Sequence, residues 1–329
     1  MNHPKHMSAA FIDALGGPGS IRIGDLPVPE PGATDVLVRM EASEVNHVDL
    51  FVRSGAFPTP LPFPFVIGRD LVGTVAAVGE AVESFGPGDR VWSNSLGHDG
   101  RQGTFSEYVA APVERLYRLP DGIDPAEAAP VLHAAATAYI GLVREARLRP
   151  GETIAVGSAS GAVGTAIVQL AAAMGARVIA GASTGDDDWV TECGVGTVID
   201  KHAGDFHRQV DRAAPGGVDV WWDPSGFHDF DRCVPLLAQG GRVIAMAGMQ
   251  AAPRLPIGDL YTRDASVLGF AISNASAADL AEAAQAINRM LATGRLRGRV
   301  GTTFHLAEAA EAHRALEGGG VRGRILILP

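Results

Sequence analysis

Thr153-Ile-Ala-Val-Gly-Ser-Ala-Ser-Gly-Ala-Val-Gly164 decides the fold of this chain. A short β-branched run (Thr153, Ile154, Val156) leads into a glycine-rich turn, and beyond the turn Val163, Ile167, Leu170, Ala171 and Met174 recur at helical spacing. Strand, turn and helix in that order are the opening of a dinucleotide site. Gly161 and Gly164 let the backbone approach a pyrophosphate and let helix and strand pack closely, while the helix N-terminus offers N–H groups to the phosphates. Ala159 stands where the usual G-x-G-x-x-G pattern has its first glycine. The same turn is no hydrolase elbow, because Ala159 also occupies the nucleophile position.

The surroundings raise the specificity of this pattern. Five further strand-like runs follow at Arg177–Ala180, Thr197–Asp200, Asp219–Asp223, Arg242–Ala247 and Ser266–Ala271, with helix-compatible stretches between most of them. That rhythm predicts a doubly wound parallel sheet. A doubly wound domain that binds some other ligand at its switch point is the alternative.

Working outward, residues 1 to about 125 read as a mostly β domain. Alternating runs occur at Val36–Met40, Leu71–Val78, Asp89–Trp92 and Phe105–Ala110, separated by turns such as Pro29-Glu-Pro-Gly32 and Gly86-Pro-Gly-Asp89. Phe57-Pro-Thr-Pro-Leu-Pro-Phe-Pro64 reads as a loop, since proline cannot donate to a ladder. After the parallel sheet come a helix at Ala278–Leu291, a strand at Arg299–Phe304, a helix at Ala307–Leu316 and a strand at Arg324–Leu328. This tail is expected to pack back on the first domain. The expected division is therefore 1–125 with 266–329 as one discontinuous domain, and 126–265 as the nucleotide-binding domain.

A chain of 329 residues with 47% apolar and 19% charged residues can bury a large core, and its net charge of −10 argues against nucleic acid or an anionic membrane as partner. Cys193 and Cys233 are too few for a disulfide framework or a structural zinc site, and read as inert thiols of a reduced compartment. Met1 to Met7 carries no apolar core of a secretory signal, so a cytoplasmic location is expected. Thr153–Ala176 is uncharged and long enough to span a bilayer, but its strand-like start and small residues fit a buried strand and helix better.

Several further motifs occur in one order. These are Ala42-Ser-Glu-Val-Asn-His-Val-Asp49 with Arg53-Ser-Gly55, Val66-Ile-Gly-Arg-Asp-Leu-Val-Gly73 with Val78-Gly79, and Gly86-Pro-Gly-Asp-Arg-Val91. Gly103-Thr-Phe-Ser-Glu-Tyr108, Thr137-Ala-Tyr139, Gly240-Gly-Arg-Val243 and Gly323-Arg-Ile-Leu326 complete the series. Over essentially its whole length the chain resembles the zinc-independent medium-chain dehydrogenase/reductases of the quinone oxidoreductase, or zeta-crystallin-like, branch. The resemblance implies an α/β protein, with a GroES-like mostly-β catalytic domain and a doubly wound Rossmann nucleotide-binding domain. Zinc-bearing relatives carry a cysteine before His47 and a His-Glu pair after Gly68, where this chain has Asn46, Arg69 and Asp70; their four-cysteine lobe is also missing between Trp92 and Phe105. No functional zinc is expected, although His47 and His98 remain as potential ligands.

Without a Lewis acid to stabilise an alkoxide, the favoured chemistry is hydride delivery to an acceptor that is already electron-poor. Quinones and conjugated enones qualify, because their product anion is delocalised. The resemblance implies that Asn46, Phe51 and Thr137 lie near the nicotinamide, with backbone at Met246, Ala247, Gly248, Phe270, Ala271 and Ile272 along it. The turn residues Ser160, Gly161, Ala162, Val163 and Gly164 are expected on the phosphates. Asp49 is expected to orient Asn46 or Arg53, and Thr137 to act as pocket residue or as helix cap. Ala180-Gly-Ala-Ser-Thr184 lacks the carboxylate of an NAD-selecting strand end, and Ser183 can donate to a phosphate. Lys201 matches a position where the family often places a 2′-phosphate partner. These residues favour NADPH over NADH; Asp186-Asp-Asp188 weighs against it by repulsion, unless the trio only charges a helix start.

The expected function is thus an NADPH-dependent quinone or enone reductase acting on a small electrophile, with a homodimer formed through the edge strand Ser266–Ala271. Two other readings stand beside it. An enoyl-thioester reductase would need a proton donor other than Phe57, which stands where such enzymes carry tyrosine. A cofactor-binding protein with little turnover would keep the nucleotide site alone.

Overall fold

Alternation of apolar and polar residues in the N-terminal region builds antiparallel strands. The computed structural model describes residues 3–329. In chain order it has β1 (His6–Ile12), β2 (Arg22–Pro27), β3 (Asp35–Glu44), α1 (His47–Ser54), β4 (Phe65–Val66), β5 (Leu71–Val78), β6 (Arg90–Ser93), β7 (Tyr108–Pro112) and β8 (Tyr117–Arg118). β1 pairs with β2 and β4, whereas β3 lies antiparallel to β5 and β7. Every second residue of β3 then faces one side, and Val36, Val38 and Met40 join Ile12, Phe65, Leu71 and Phe105 in one buried cluster. The expected strand at Phe105–Ala110 starts only at Tyr108; ahead of it the Phe105 N–H donates to the Ile67 carbonyl and the Ser106 N–H to the Thr104 carbonyl.

The chain then forms α2 (Pro125–Ile140), continued by one π-helical turn at Gly141–Glu145. The combined segment Pro125–Glu145 is long and apolar enough to cross a membrane, and most of it is buried within the protein. The Thr153–Ala176 run divides into β9 (Thr153–Val156), the glycine turn and α3 (Ala162–Ala173), a helix of 12 residues and too short to span a bilayer.

β10 (Arg177–Ala182), β11 (Thr197–Asp200), β12 (Val218–Trp222), β13 (Leu237–Ala245) and β14 (Ser266–Gly269) follow. All pair in parallel, in the order β11-β10-β9-β12-β13-β14. The order reverses between β9 and β12, which is where an open α/β sheet binds its ligand. Ala155, Ile179, Val218, Trp221 and Val243 supply its core. β13 was expected to run to Ala247 but stops at Ala245, because Ala247 takes a left-handed φ of 60° that no strand continues through.

A helix at Ala277–Ala292, β15 (Val300–His305), a helix at Ala309–Gly318 and β16 (Arg324–Leu328) end the chain. β16 pairs antiparallel with β3, matching Leu326 to Glu44 and Ile327 to Ser43. The chain accordingly divides into two compact units, one to His133 plus Ser276–Pro329, the other Ala134–Ala275. The expected boundary at 265/266 thus falls ten residues early: β14 pairs with β13 along its length and belongs to the parallel sheet.

Candidate functional site

In the second unit, α3 starts at the turn after β9, and its N-cap is Gly161, which contributes no side-chain cap. The first N–H groups of a helix have no intrahelical acceptor, so those of Ala162, Val163 and Gly164 remain available to a ligand. Gly164 is there for packing, because a Cβ on it would overlap the Ser158 carbonyl oxygen. Gly161 is different. A Cβ on it would meet only that oxygen, at 3.7 Å, and the residue is exposed. No neighbour in the protein demands a glycine at 161, so the space beside it suits a phosphate lying against the backbone. Ser160 is half-buried at the same turn.

Ser183 and Thr184 follow β10, and Lys201 and His202 follow β11. The two strands are in register at Ala182 and Asp200, and the Lys201 N–H donates to the Ala182 carbonyl at 2.9 Å. The residues that leave the sheet therefore emerge side by side. Ser183 Oγ lies 3.3 Å from His202 Nε2. Thr184 Oγ1 donates to Asp200 Oδ2 at 3.4 Å, and the His202 N–H donates to Asp200 Oδ1 at 2.9 Å. A cavity of about 320 Å³ is lined by Gly157 and Ser158 of the turn, by Lys201 and His202, and by Asp223 and Phe227 across from them. The Asp186–Asp188 trio caps and opens the helix Asp187–Glu192.

The remaining cofactor candidates of this unit lie on two loops. Met246 is half-buried, and Ala247 and Gly248 are exposed; both of the latter have positive φ, at 60° and 64°. A non-glycine residue held there stores backbone strain, a feature that clusters at ligand sites. Phe270 meets the Trp222 ring edge-on at 5.9 Å. Ala271 caps a 3-10 turn at Ile272–Asn274. Thr137 is buried inside α2, well after its start at Pro125, so its reading as a helix cap fails.

In the first unit four element ends meet. Asn46 follows β3 by two residues and caps α1, Asp70 precedes β5, and Arg324 opens β16. Asn46 Nδ2 donates to Asp70 Oδ2 at 2.7 Å, and Arg324 Nη2 donates to Asn46 Oδ1 at 2.9 Å. Arg324 also pairs with buried Glu44, and His133 Nδ1 lies 3.5 Å from Asp70 Oδ1. Asp49 Oδ2 accepts the Asn46 N–H at 2.8 Å, closing a capping box. Arg53, the other partner expected for Asp49, instead bonds the Gly16 carbonyl, His313 and Glu317. Phe51 is partly exposed on α1 and not part of the core.

This cluster buries three carboxylates (Glu44, Asp49, Asp70) with the Arg69 guanidinium, and the half-buried Arg324 reaches into it. Burial pushes the Asp49 carboxyl up to about 7, and the nearby Asp70 charge adds to it. Burial also lowers the Arg69 and Arg324 guanidiniums, the latter to about 10, which leaves Arg324 charged at neutral pH. A guanidinium at a position that relatives use for a zinc ligand repels a dication. Among the described residues no group of three His, Cys, Asp or Glu side chains converges as a metal site. His98 packs against Phe57 with ring centroids 5.5 Å apart. Burial, with Arg69 and Arg101, holds its imidazole at about 4 and so neutral. Both cysteines are buried, with the Cys233 thiol pushed up to about 12 by burial.

Sequence reasoning named Asp70 and Arg69 only as departures from a zinc site, and it missed Glu44, His133, Arg324 and His202 as site neighbours. Glu44 and Arg324 lay inside motifs that carried the resemblance, which was the available signal for them.

Comparison with known proteins agrees with this architecture. Residues 32–121 match the family model described as alcohol dehydrogenase GroES-like domain, and residues 162–289 match that described as zinc-binding dehydrogenase. The chain belongs to the medium-chain dehydrogenase/reductase family, and it is an oxidoreductase. Among its curated relatives it is 30% identical to the quinone oxidoreductase of Lama guanicoe, over 98% of this chain and 97% of that one. Among solved structures it is 34% identical to an NAD-dependent alcohol dehydrogenase, with a TM-score of 0.88 over 98% of this chain and 100% of the other. It is 30% identical to mycobacterial Rv1454c complexed with NADPH, with a TM-score of 0.83 over 98% and 100% of the two chains.

Proposed function

We propose that this protein is an NADPH-dependent reductase that transfers hydride to a quinone or conjugated enone without zinc. The observation that carries the reading is that Asn46, Arg69 and Asp70, which stand where zinc-bearing relatives place metal ligands, are buried, with Asn46 bonded to Asp70 and to Arg324. The nicotinamide, when bound, supplies the hydride. The chain's own residues do the rest. The α3 N-terminus and Gly161 hold the pyrophosphate, with Ser160, Ala162, Val163 and Gly164 around it. Ser183 and Lys201 hold the ribose 2′-phosphate, and the NADPH bound to Rv1454c supports that choice. Met246–Gly248 and Phe270–Ile272 line the nicotinamide half with backbone. The resemblance assigns Asn46 and Thr137 to the reacting end and Phe51 to the cofactor, and Asp49 orients Asn46 through its backbone.

A delocalised hydroquinone or enolate anion needs only a few hydrogen-bond donors, and water delivers its proton. The enoyl-thioester reading gains nothing from the loop residues, since Phe57 has no proton and the neighbouring His98 is held neutral. A cytoplasmic location fits this reading.

The test is a turnover panel with purified protein. NADPH oxidation is expected with 1,4-benzoquinone, slower with crotonyl-thioester, and unchanged after exhaustive treatment with EDTA or 1,10-phenanthroline. Loss of turnover on chelation that added zinc restores would overturn the metal-free mechanism. Silence with both acceptors and both nicotinamide cofactors would favour a binding protein.

A further inference from the structure

We propose that the acceptor carries a carboxylate, and that Arg101 and Arg115, backed by buried Arg69, bind it beside the reacting end. This rests on the enone-reductase reading above and adds the class of substrate, which neither the glycine turn nor the strand ends address.

The loop between β6 and β7 brings the guanidiniums together, all within the first unit. Its Leu96 N–H donates to the Arg69 carbonyl at 3.2 Å. Gly97 and Gly103 lie so close to Gly68 that a Cβ on them would stand 2.3 and 2.5 Å from its carbonyl oxygen. The loop therefore packs directly on Gly68 and Arg69, and between those glycines the Arg101 N–H donates to the His98 carbonyl at 3.2 Å, closing a turn. Beyond β7, the 3-10 turn Val113–Arg115 delivers Arg115, whose Nη1 donates to Ser95 Oγ at 3.2 Å. Asp70, next to Arg69, is bonded to Asn46, so the cluster borders the residue assigned to the reacting end.

The positive charge here exceeds what its neighbours answer, on a chain whose net charge is −10. Among the described residues no carboxylate pairs with Arg115, and Arg101 Nη1 stands 3.6 Å from Asp99. Arg101 Nε and His98 Nδ1 are buried with no hydrogen-bond partner among the described residues, and a buried donor without a partner calls for one. The acids in reach are Asp49 and Asp70 beside Arg69, and Asp99 and Glu114 beside Arg101. Asp49 is committed to the Asn46 N–H, and Asp70 to Asn46 Nδ2 and His133. Asp99 and Glu114 are exposed, where water screens them. His98 registers the balance: burial, then Arg69 and Arg101, hold its imidazole at about 4 against the opposing Asp99. A carboxylate answers this surplus, because its two oxygens match the guanidinium fork and its single charge matches the one guanidinium left without an acid. The acceptor is then an enone acid. Its C=C takes one hydride at the carbon β to the ketone, the enolate takes one proton from water, the nicotinamide is left oxidised, and the carboxylate is held unchanged.

The experiment is steady-state kinetics of the full chain with NADPH and a matched pair of acceptors, 4-oxo-4-phenylbut-2-enoate and its methyl ester. The ester is the more electron-poor of the two, so a preference for the acid reports binding rather than reactivity. Wild type is expected to favour the acid in kcat/KM by at least about tenfold, as for one charge-assisted contact, with most of the difference in KM. Arg101→Gln and Arg115→Gln are each expected to cut the acid-to-ester ratio by about tenfold, and Arg101→Lys, which keeps the charge, to restore part of it. Calorimetry with the saturated product 4-oxo-4-phenylbutanoate, which needs no cofactor, is expected to rank the four proteins in the same order, and circular dichroism checks that the variants are folded. If wild type reduces the ester and 1,4-benzoquinone without preferring the acid, or if both glutamine variants keep the preference, the carboxylate site is wrong while the reductase reading stands. If acid, ester and benzoquinone all go unreduced with both nicotinamide cofactors, the reductase reading itself fails and takes this inference with it.

Discussion

Gly161 and Gly164 lie three residues apart on one turn and answer to different neighbours. A Cβ on Gly164 would overlap the Ser158 carbonyl, so Gly164→Ala forces helix and turn apart and is expected to cost about 1–3 kcal/mol, read as a lowered melting temperature. A Cβ on Gly161 finds open space and an ordinary φ of −73°, so Gly161→Ala is expected to melt like wild type. Its defect is confined to the ligand: fluorescence titration is expected to show at least about a tenfold loss of NADPH affinity. Undiminished affinity in Gly161→Ala would mean that no pyrophosphate lies against this turn. The pattern in the sequence marks both glycines alike. Their different duties became legible only when the position of the Ser158 oxygen was known, because a glycine spaced for packing and a glycine spaced for a ligand look the same in one dimension.

At the scale of elements, α1 carries a tension that its residues alone do not announce. An aspartate at the third helical position ordinarily stabilises a helix as an anion, through the cap and the positive end of the dipole. Here burial outweighs both, raising the Asp49 carboxyl from 3.8 to about 7. The folded state thus holds a proton that the unfolded chain releases between those values. The group's contribution to stability is full below about pH 4 and is lost as pH rises through about 7. Asp49→Asn keeps an acceptor for the Asn46 N–H but cannot ionise, so its melting temperature is expected to stay flatter between pH 5 and pH 8 than that of wild type. Identical pH profiles would show that Asp49 is ionised in the fold. Strands with β-branched residues, such as Thr197–Asp200 and Leu71–Val78, could be read directly with their ends correct. β1 could not, since His6-Met-Ser-Ala-Ala-Phe-Ile12 lacks a clear alternation and is held by its pairing with β2 and β4. β13 starts earlier than expected because Leu237-Ala-Gln-Gly-Gly241 has poor strand propensity but a partner in β12.

At the scale of the whole molecule, the return of the C-terminal segment to the first unit was legible from the amphipathic pattern that follows the last parallel strand, though not the residue at which it begins, and β16 completes it by pairing with β3. The polar cluster was not legible, because Glu44 and Arg324 meet only when that pairing forms, 280 residues apart in a chain with no local signal between them. β14 marks the limit of what one chain explains. It pairs with β13 on one side only and ends the six-stranded sheet, and its four residues are not fully buried. An edge with unused N–H and C=O groups is either protected or paired, and Ser266-Val-Leu-Gly269 carries no charge, proline or bulge to protect it. Pairing with its own copy about a two-fold axis satisfies the edge and makes one continuous sheet. Light scattering at micromolar concentration is therefore expected to give twice the chain mass of 34.2 kDa. Leu268→Lys places like charges near each other across the axis and is expected to shift the mass to that of one chain. Because Leu268 is not among the buried core residues, NADPH binding by the variant is expected to persist. A wild-type protein that scatters as a single chain would leave the edge covered by something other than a second copy, and would remove the continuous sheet from this account.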